Sequence, residues 1–234
     1  YYFTAAASLG AGSGTRVSFV VPTGNFGDIF AGEAASRMGL AMDRLVIATN
    51  ANDILARALA SGIYGAGAAQ PTLSPSMDIQ VASNFERALF EASGRDAVWI
   101  ADAMKKFSKS RRLDIPAKVL ATLRGRYQAG SANDSETITA IARAHRESGI
   151  IVDPHTAVGL SVAQNIAATP KVPVVVLATA HPAKFAAAVT QAIGKTGEFP
   201  SQLARIMALE ERYTVLPNEV GAVRTFVLER TRNS

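Results

Sequence analysis

Cysteine is absent from the 234 residues, which excludes disulfides and thiolate-bound metals. Histidine is scarce. His145, His155 and His181 include no His-x-x-x-His pair, so little is available for zinc. No apolar run approaches the roughly 20 residues a membrane-spanning helix needs, and no association with a membrane is expected. Aromatic residues make up only 7% of the chain. The densest basic stretch (Lys105, Lys106, Lys109, Arg111 and Arg112) holds one of them, Phe107. It therefore offers no stacking platform for single-stranded nucleic acid, and no nucleic-acid partner is expected. A reducing cytoplasm is compatible with all of these absences.

What is present is an ordinary globular composition, with 48% apolar and 18% charged residues. The net charge of +5 suits an anionic small molecule better than a polyanion. The chain opens on Tyr1-Tyr2-Phe3 without methionine, in what reads as the tail of an apolar helix reaching Leu9. Residues upstream of this numbering are therefore expected.

Val17 to Pro22 is a continuous apolar run rich in β-branched residues, as expected of a strand buried on both faces. A glycine-bearing turn follows, then a helix to about Met38, stopped by Gly39. Leu45 to Ala48 is a second buried strand, after which Asp53 caps a helix ending near Gly62. Residues 63–82 are rich in glycine, alanine, proline and serine and show no period, the signature of a functional or mobile loop. Ser83 and Glu86 form a capping-box pattern for a helix from Asn84 to Ala92, and another helix runs from about Asp96 to Ser108. A helix over 136–148 presents Ile138, Ile141, Ala142 and His145 on one face. Asp153-Pro154 starts a helix reaching about Ala168. Val172 to Leu177 is a third buried strand, with a helix after Pro182 and another from about Pro217. This alternation predicts an α/β fold, an open twisted and mostly parallel sheet flanked by helices. It reads as one domain over residues 1–234, with a helical insertion at about 84–125.

The turn Thr23-Gly24-Asn25-Phe26-Gly27 is the leading candidate site. Backbone N–H groups at a helix start lack internal partners, and the helix dipole adds positive potential there. Glycines at 24 and 27 would let an oxyanion approach. These residues alone fit a phosphate cradle and a plain glycine-rich turn equally well. Thr179 follows the third strand, at the end where open α/β sheets bind ligands, and a helix N-cap is its other reading. Arg87 suits a phosphate but could instead pair with Glu86 or Glu91.

Pro22-Thr23-Gly24-Asn25-Phe26-Gly27-Asp28, continuing to Ala31-Gly32, resembles the cofactor-phosphate loop of threonine synthases. Those are pyridoxal-phosphate (PLP) enzymes of the tryptophan-synthase-β-like fold. Further segments are similar to the family in the same order: Ala48 to Asp53, Ser74 to Ile79, Ser83 to Arg87, Asp153 to Ala157, and Thr179 to Phe185. The resemblance implies that Gly24, Asn25, Phe26 and Gly27 hold the PLP phosphate and that the Thr179 hydroxyl meets the ring nitrogen. Ser76, Asp78, Asn84 and Arg87 flank the long irregular segment and, with His155, are candidates for the substrate pocket; the resemblance implies conversion of O-phospho-L-homoserine and water to L-threonine and phosphate. The family's Schiff-base lysine stands in a Phe-Lys-Asp context, which this sequence lacks. Lys106 and Lys184 neighbour a phenylalanine but precede no aspartate. The resemblance thus covers a C-terminal portion, expected to be inactive without an N-terminal half. Two rival readings stay open. One is another PLP lyase or phospho-lyase of the same fold. The other is a non-catalytic module for a phosphorylated ligand.

Overall fold

The computed structural model describes residues 1–10, 15–166, 169–197, 199–201, 206 and 209–231. Two compact units are present, residues 1–198 and 199–234. In the first unit, α1 (Tyr2–Ser8) precedes β1 (Val17–Pro22), α2 (Gly27–Arg37), β2 (Met42–Thr49), α3 (Ile54–Ser61) and β3 (Ile63–Gly65). There follow α4 (Phe85–Ala92), α5 (Ala97–Ser110), β4 (Arg112–Asp114), α6 (Ala117–Arg126) and β5 (Tyr127–Ser131). The unit ends with α7 (Asp134–Ser148), α8 (Pro154–Asn165), β6 (Val174–Val176) and α9 (Ala186–Ile193).

Four strands pair in the order β5-β2-β1-β6, and every pair is parallel. The α/β class expected from the sequence is therefore the observed one. Every residue of β1 is buried, as its unbroken apolar run requires with helices covering both faces of a parallel sheet. From β1 the chain winds outward through β2 to β5, then returns to place β6 on the other side of β1. That reversal makes the ends of β1 and β6 a topological switch point, where such sheets open a crevice at the carboxyl edge. The Thr23–Gly27 loop leaves β1 there, and Thr179 follows β6.

β6 departs from the expected buried strand over Val172 to Leu177. It is an edge strand of three residues, and Val174 is 37% exposed. Pairing extends one bond beyond it at each end, Ser18 N–H to Pro173 O and Leu177 N–H to Val20 O. Residues 63–82 hold β3, which pairs antiparallel with β4, and a 3-10 turn at Pro75–Met77. The 84–125 stretch contains α4, α5, β4 and most of α6.

Two expected side-chain cap bonds are not made. At the start of α4 the N-cap is Asn84, without a side-chain cap bond, because its amide donates to Asn25 O at 3.1 Å. Asp53 is the N-cap of α3 as expected but makes no side-chain cap bond; its carboxylate accepts from Arg57 Nε at 2.7 Å. The capping box occurs instead at α7, between Asn133 and Glu136. On that helix Thr137, Ala140 and Ile141 are buried, so the apolar stripe is turned by about one residue from the expected face. Ile138, Ala142 and His145 lie half-buried at its border. α8 ends at Asn165, before the expected Ala168, which lies outside the described residues. In the second unit, α10 (Val220–Thr231) carries Arg230 3.5 Å from the Phe226 ring centroid.

Candidate functional site

The loop leaving β1 is anchored at both ends. Thr23 N–H donates to Ala48 O at 2.7 Å, and its hydroxyl donates to Val21 O at 2.6 Å. Phe26, the N-cap of α2, sits at φ 72°, a left-handed conformation that costs a non-glycine residue on the order of 1 kcal/mol. Its ring offsets that cost by packing edge-on to Phe85 (5.1 Å) and Tyr127 (5.3 Å) in the core. Asn25 O accepts from both the N–H and the side-chain amide of Asn84. Asn25 Oδ1 accepts from Gly27 N–H at 2.8 Å. Among the described residues, the N–H groups of Gly24, Asn25 and Phe26 find no protein acceptor. Three unpartnered donors at a helix start are the chemistry of an anion cradle.

Glycine is required at position 24. A Cβ there would stand 2.9 Å from Ser76 O, so only glycine lets the Pro75–Met77 turn close over the loop. That turn is held from beneath by His155, whose Nε2 accepts from Ser76 N–H at 3.2 Å. The acceptor role puts the ring proton on Nδ1, which donates to Asp153 Oδ1 at 2.8 Å. Phe185 packs edge-on to the His155 ring at 4.7 Å.

Asp153 is 1% exposed and caps α8 by accepting from the N–H groups of His155 and Thr156. Its second oxygen accepts a short hydrogen bond from the Thr156 hydroxyl. Burial alone would raise this carboxyl's pKa, but the bonds from His155 and Thr156 together hold it below the ordinary range. Thr156 Oγ1 in turn accepts from Thr179 N–H at 3.3 Å.

Thr179 is exposed, and among the described residues its hydroxyl has no partner. It is not a helix cap: His181 caps the turn Pro182–Phe185, its Nδ1 accepting from Ala183 N–H. Thr179 lines a cavity of about 600 Å³ with Leu177, Ala178, Asp28 and residues of α1. Asp28, in the first turn of α2, receives the Tyr2 hydroxyl. Burial pushes the Asp28 carboxyl up despite that bond. Free donors on the loop and a free hydroxyl past the adjacent strand suit a ligand with an anionic end and a hydrogen-bonding ring atom.

The other expected residues divide. Ser76 and Asn84 lie against the loop. His155 supports it from below and is buried. Asp78 is committed to a buried polar junction, where one carboxylate oxygen accepts from Asn50, Asn52 and Thr72 side chains and the other from Thr72 N–H. This junction fastens the 66–82 segment to the end of β2. Arg87 is exposed and lines a separate cavity of about 410 Å³ with Phe30, Phe90, Ile100 and Met104. It pairs with neither Glu86 nor Glu91, because Glu91 binds Arg37 and Arg95. In the sequence Asp153 and Thr156 lie at a helix start and in a family-like segment but carry no assigned role, and the tether to Thr179 spans 23 residues. Among the described residues, no group of acidic, histidine or cysteine side chains could hold a metal ion. Nor, among them, is any helix long and apolar enough to cross a membrane.

The chain is similar in sequence and in fold to known proteins. The family model described as "Threonine synthase, C-terminal" matches residues 156–227. Threonine synthase of Pseudomonas aeruginosa is 45% identical over 228 residues, covering 97% of this chain and 48% of that protein. The enzyme of Corynebacterium glutamicum is 36% identical over 241 residues, covering all of this chain and 50% of its own. Among solved structures, PLP-bound threonine synthase from Brucella melitensis superposes with a TM-score of 0.92 at 49% identity, over 99% of this chain and 50% of that one. Yeast threonine synthase gives 0.83 at 29% identity, again over half its length. The chain spans about half the length of the relatives it matches. With fold, order of segments and sequence in agreement, the chain is a homologue of the threonine synthases.

Proposed function

We propose that this chain carries the cofactor-binding half of a threonine synthase active site, for the conversion of O-phospho-L-homoserine and water to L-threonine and phosphate. The observation that supports this best is the pairing at the switch point of the sheet. Unpartnered N–H groups of Gly24, Asn25 and Phe26 lie past β1, and the unpartnered Thr179 hydroxyl lies past β6. PLP, when bound, supplies an electron sink for carbanions at Cα and Cβ, which lets phosphate leave from Cγ and water add at Cβ. The loop N–H groups and the α2 dipole hold the cofactor phosphate. Thr179, a neutral donor, would meet the ring nitrogen without giving it a full positive charge and so would moderate the sink. Ser76 and Asn84 face the substrate from the rim of the loop. Arg87, in the helix that follows Asn84, suits the substrate phosphate by its chemistry, although it lines a cavity apart from that of Thr179. Asp78 and His155 serve by holding this rim in place. The lysine in a Phe-Lys-Asp context is supplied by a segment outside this sequence, and the chain is inactive without it. The assembled enzyme works in the cytoplasm.

Pyridoxine 5′-phosphate tests the reading, because without an aldehyde it cannot attach to surface lysines. Calorimetry should give saturable one-site binding. Phosphate release from O-phospho-L-homoserine should appear only when a lysine-bearing N-terminal half and PLP are added. Binding with no phosphate release even after both are added would favour a non-catalytic phosphate-ligand module.

A further inference from the structure

We infer that Asp153 is a positioning residue that fixes the two ends of the cofactor site relative to each other, through His155 to the glycine loop and through Thr156 to Thr179. This rests on the reading of the site given above and goes beyond it. Each arm is a continuous run of hydrogen bonds. One passes from Asp153 Oδ1 to His155 Nδ1 and from Nε2 to Ser76 N–H, whose residue lies across Gly24. The other passes from Asp153 Oδ2 to the Thr156 hydroxyl and on to Thr179 N–H. Asp153, His155 and Thr156 are 1%, 4% and 4% exposed, so water does not compete for these bonds. Neither arm touches the ligand. What they set is the separation between a phosphate cradle and a ring-atom partner that belong to different strands.

The arms predict different losses. A carboxylate accepts at both oxygens, whereas asparagine accepts at one and donates at the other. Asp153→Asn therefore keeps the cap and the His155 contact but removes the acceptor for the Thr156 hydroxyl. Thr156→Val cuts the same arm, and Thr156→Ser preserves it. His155→Asn retains a donor to Asp153 but stops short of Ser76. Calorimetry on the whole chain with two probes, inorganic phosphate and pyridoxine 5′-phosphate, separates the effects. Asp153→Asn and Thr156→Val should weaken pyridoxine 5′-phosphate by roughly 3- to 10-fold, the worth of one hydrogen bond, and leave inorganic phosphate unchanged. Thr156→Ser should match wild type on both probes, and His155→Asn should weaken both. Should Thr156→Val fail to fold, Asp153→Asn and His155→Asn still carry the contrast. Equal losses on both probes in Asp153→Asn, no loss in any variant, or failure of Thr156→Ser to restore binding would overturn the inference alone. Wild-type protein that binds neither probe would overturn the site as well.

Discussion

Tyr127 donates its hydroxyl to the Glu33 carboxylate in the interior beneath the glycine loop, and Arg126 Nη1 reaches the same carboxylate at 2.7 Å. Arg37 completes the cluster at 2.8 Å. Burial, then the neighbouring Glu33, pushes the Tyr127 phenol well above its usual range. Because Tyr127 also packs against Phe26, this cluster supports the left-handed corner of the loop.

Removing one member should expose that dependence. Tyr127→Phe leaves a buried carboxylate short of one donor and should cost about 1.5–3 kcal/mol. Glu33→Ala strands the Arg126 guanidinium and the Tyr127 hydroxyl, whereas Arg37 keeps Glu91; Arg126 is about one-third exposed and can rehydrate. The cost of Glu33→Ala should therefore fall near or below the lower end of the ~3–5 kcal/mol range for broken buried pairs. Urea unfolding of both variants checks the order. Values under ~0.5 kcal/mol would deny the cluster a structural role.

At the crossing of loop and turn, Gly24→Ala forces a methyl group against Ser76 O. The turn must shift and release His155 Nε2. A loss of about 1–3 kcal/mol is expected, together with a changed ¹⁵N shift at His155. An unchanged shift would show that the loop, not the turn, had yielded.

Acid should act through Asp153. Its folded pKa is depressed, so its contribution to stability is present above the unfolded value of about 3.9 and is lost as pH falls through the folded one. Asp153→Asn should be less stable than wild type by ~1–3 kcal/mol at pH 7. The gap should close progressively below about pH 4. A gap independent of pH would place the cost in packing rather than charge.

Thr179 offers the cleanest separation of binding from folding. Its exposed hydroxyl holds nothing among the described residues, so Thr179→Val should leave stability within ~0.5 kcal/mol. Pyridoxine 5′-phosphate should nonetheless bind roughly tenfold more weakly, and Thr179→Ser should bind normally. Equal affinity in the Val variant would remove Thr179 from the site.

The central strands and the glycine loop were legible because buried parallel strands and helix starts leave local marks. Val17 to Pro22 needs no partner to be recognised. β5 was not legible: Tyr127-Gln128-Ala129-Gly130-Ser131 holds one large apolar residue, and its composition answers to a distant helix. A Cβ on Gly130 would stand 2.9 Å from the Val162 side chain, so α8 dictates a glycine in the strand. The pattern Ser83-x-x-Glu86 misled for a similar reason, since Asn25 claims the side chain next to it. Asp78 looked like a pocket residue because its partners, Asn50 and Asn52, lie 28 and 26 residues away. Contacts at such separations have no period to betray them.

The ring of Phe26 ties the cradle's corner to the same apolar cluster that closes around β1. Ordering of the loop is thereby completed when the chain folds, not when a ligand arrives. The N–H groups of Asn25 and Phe26 have no acceptor among the described residues, so their amide exchange should stay fast in the free chain and slow when an anion binds, and heat should abolish the cradle and the core in one transition. A ligand meeting this surface finds its donors already aimed.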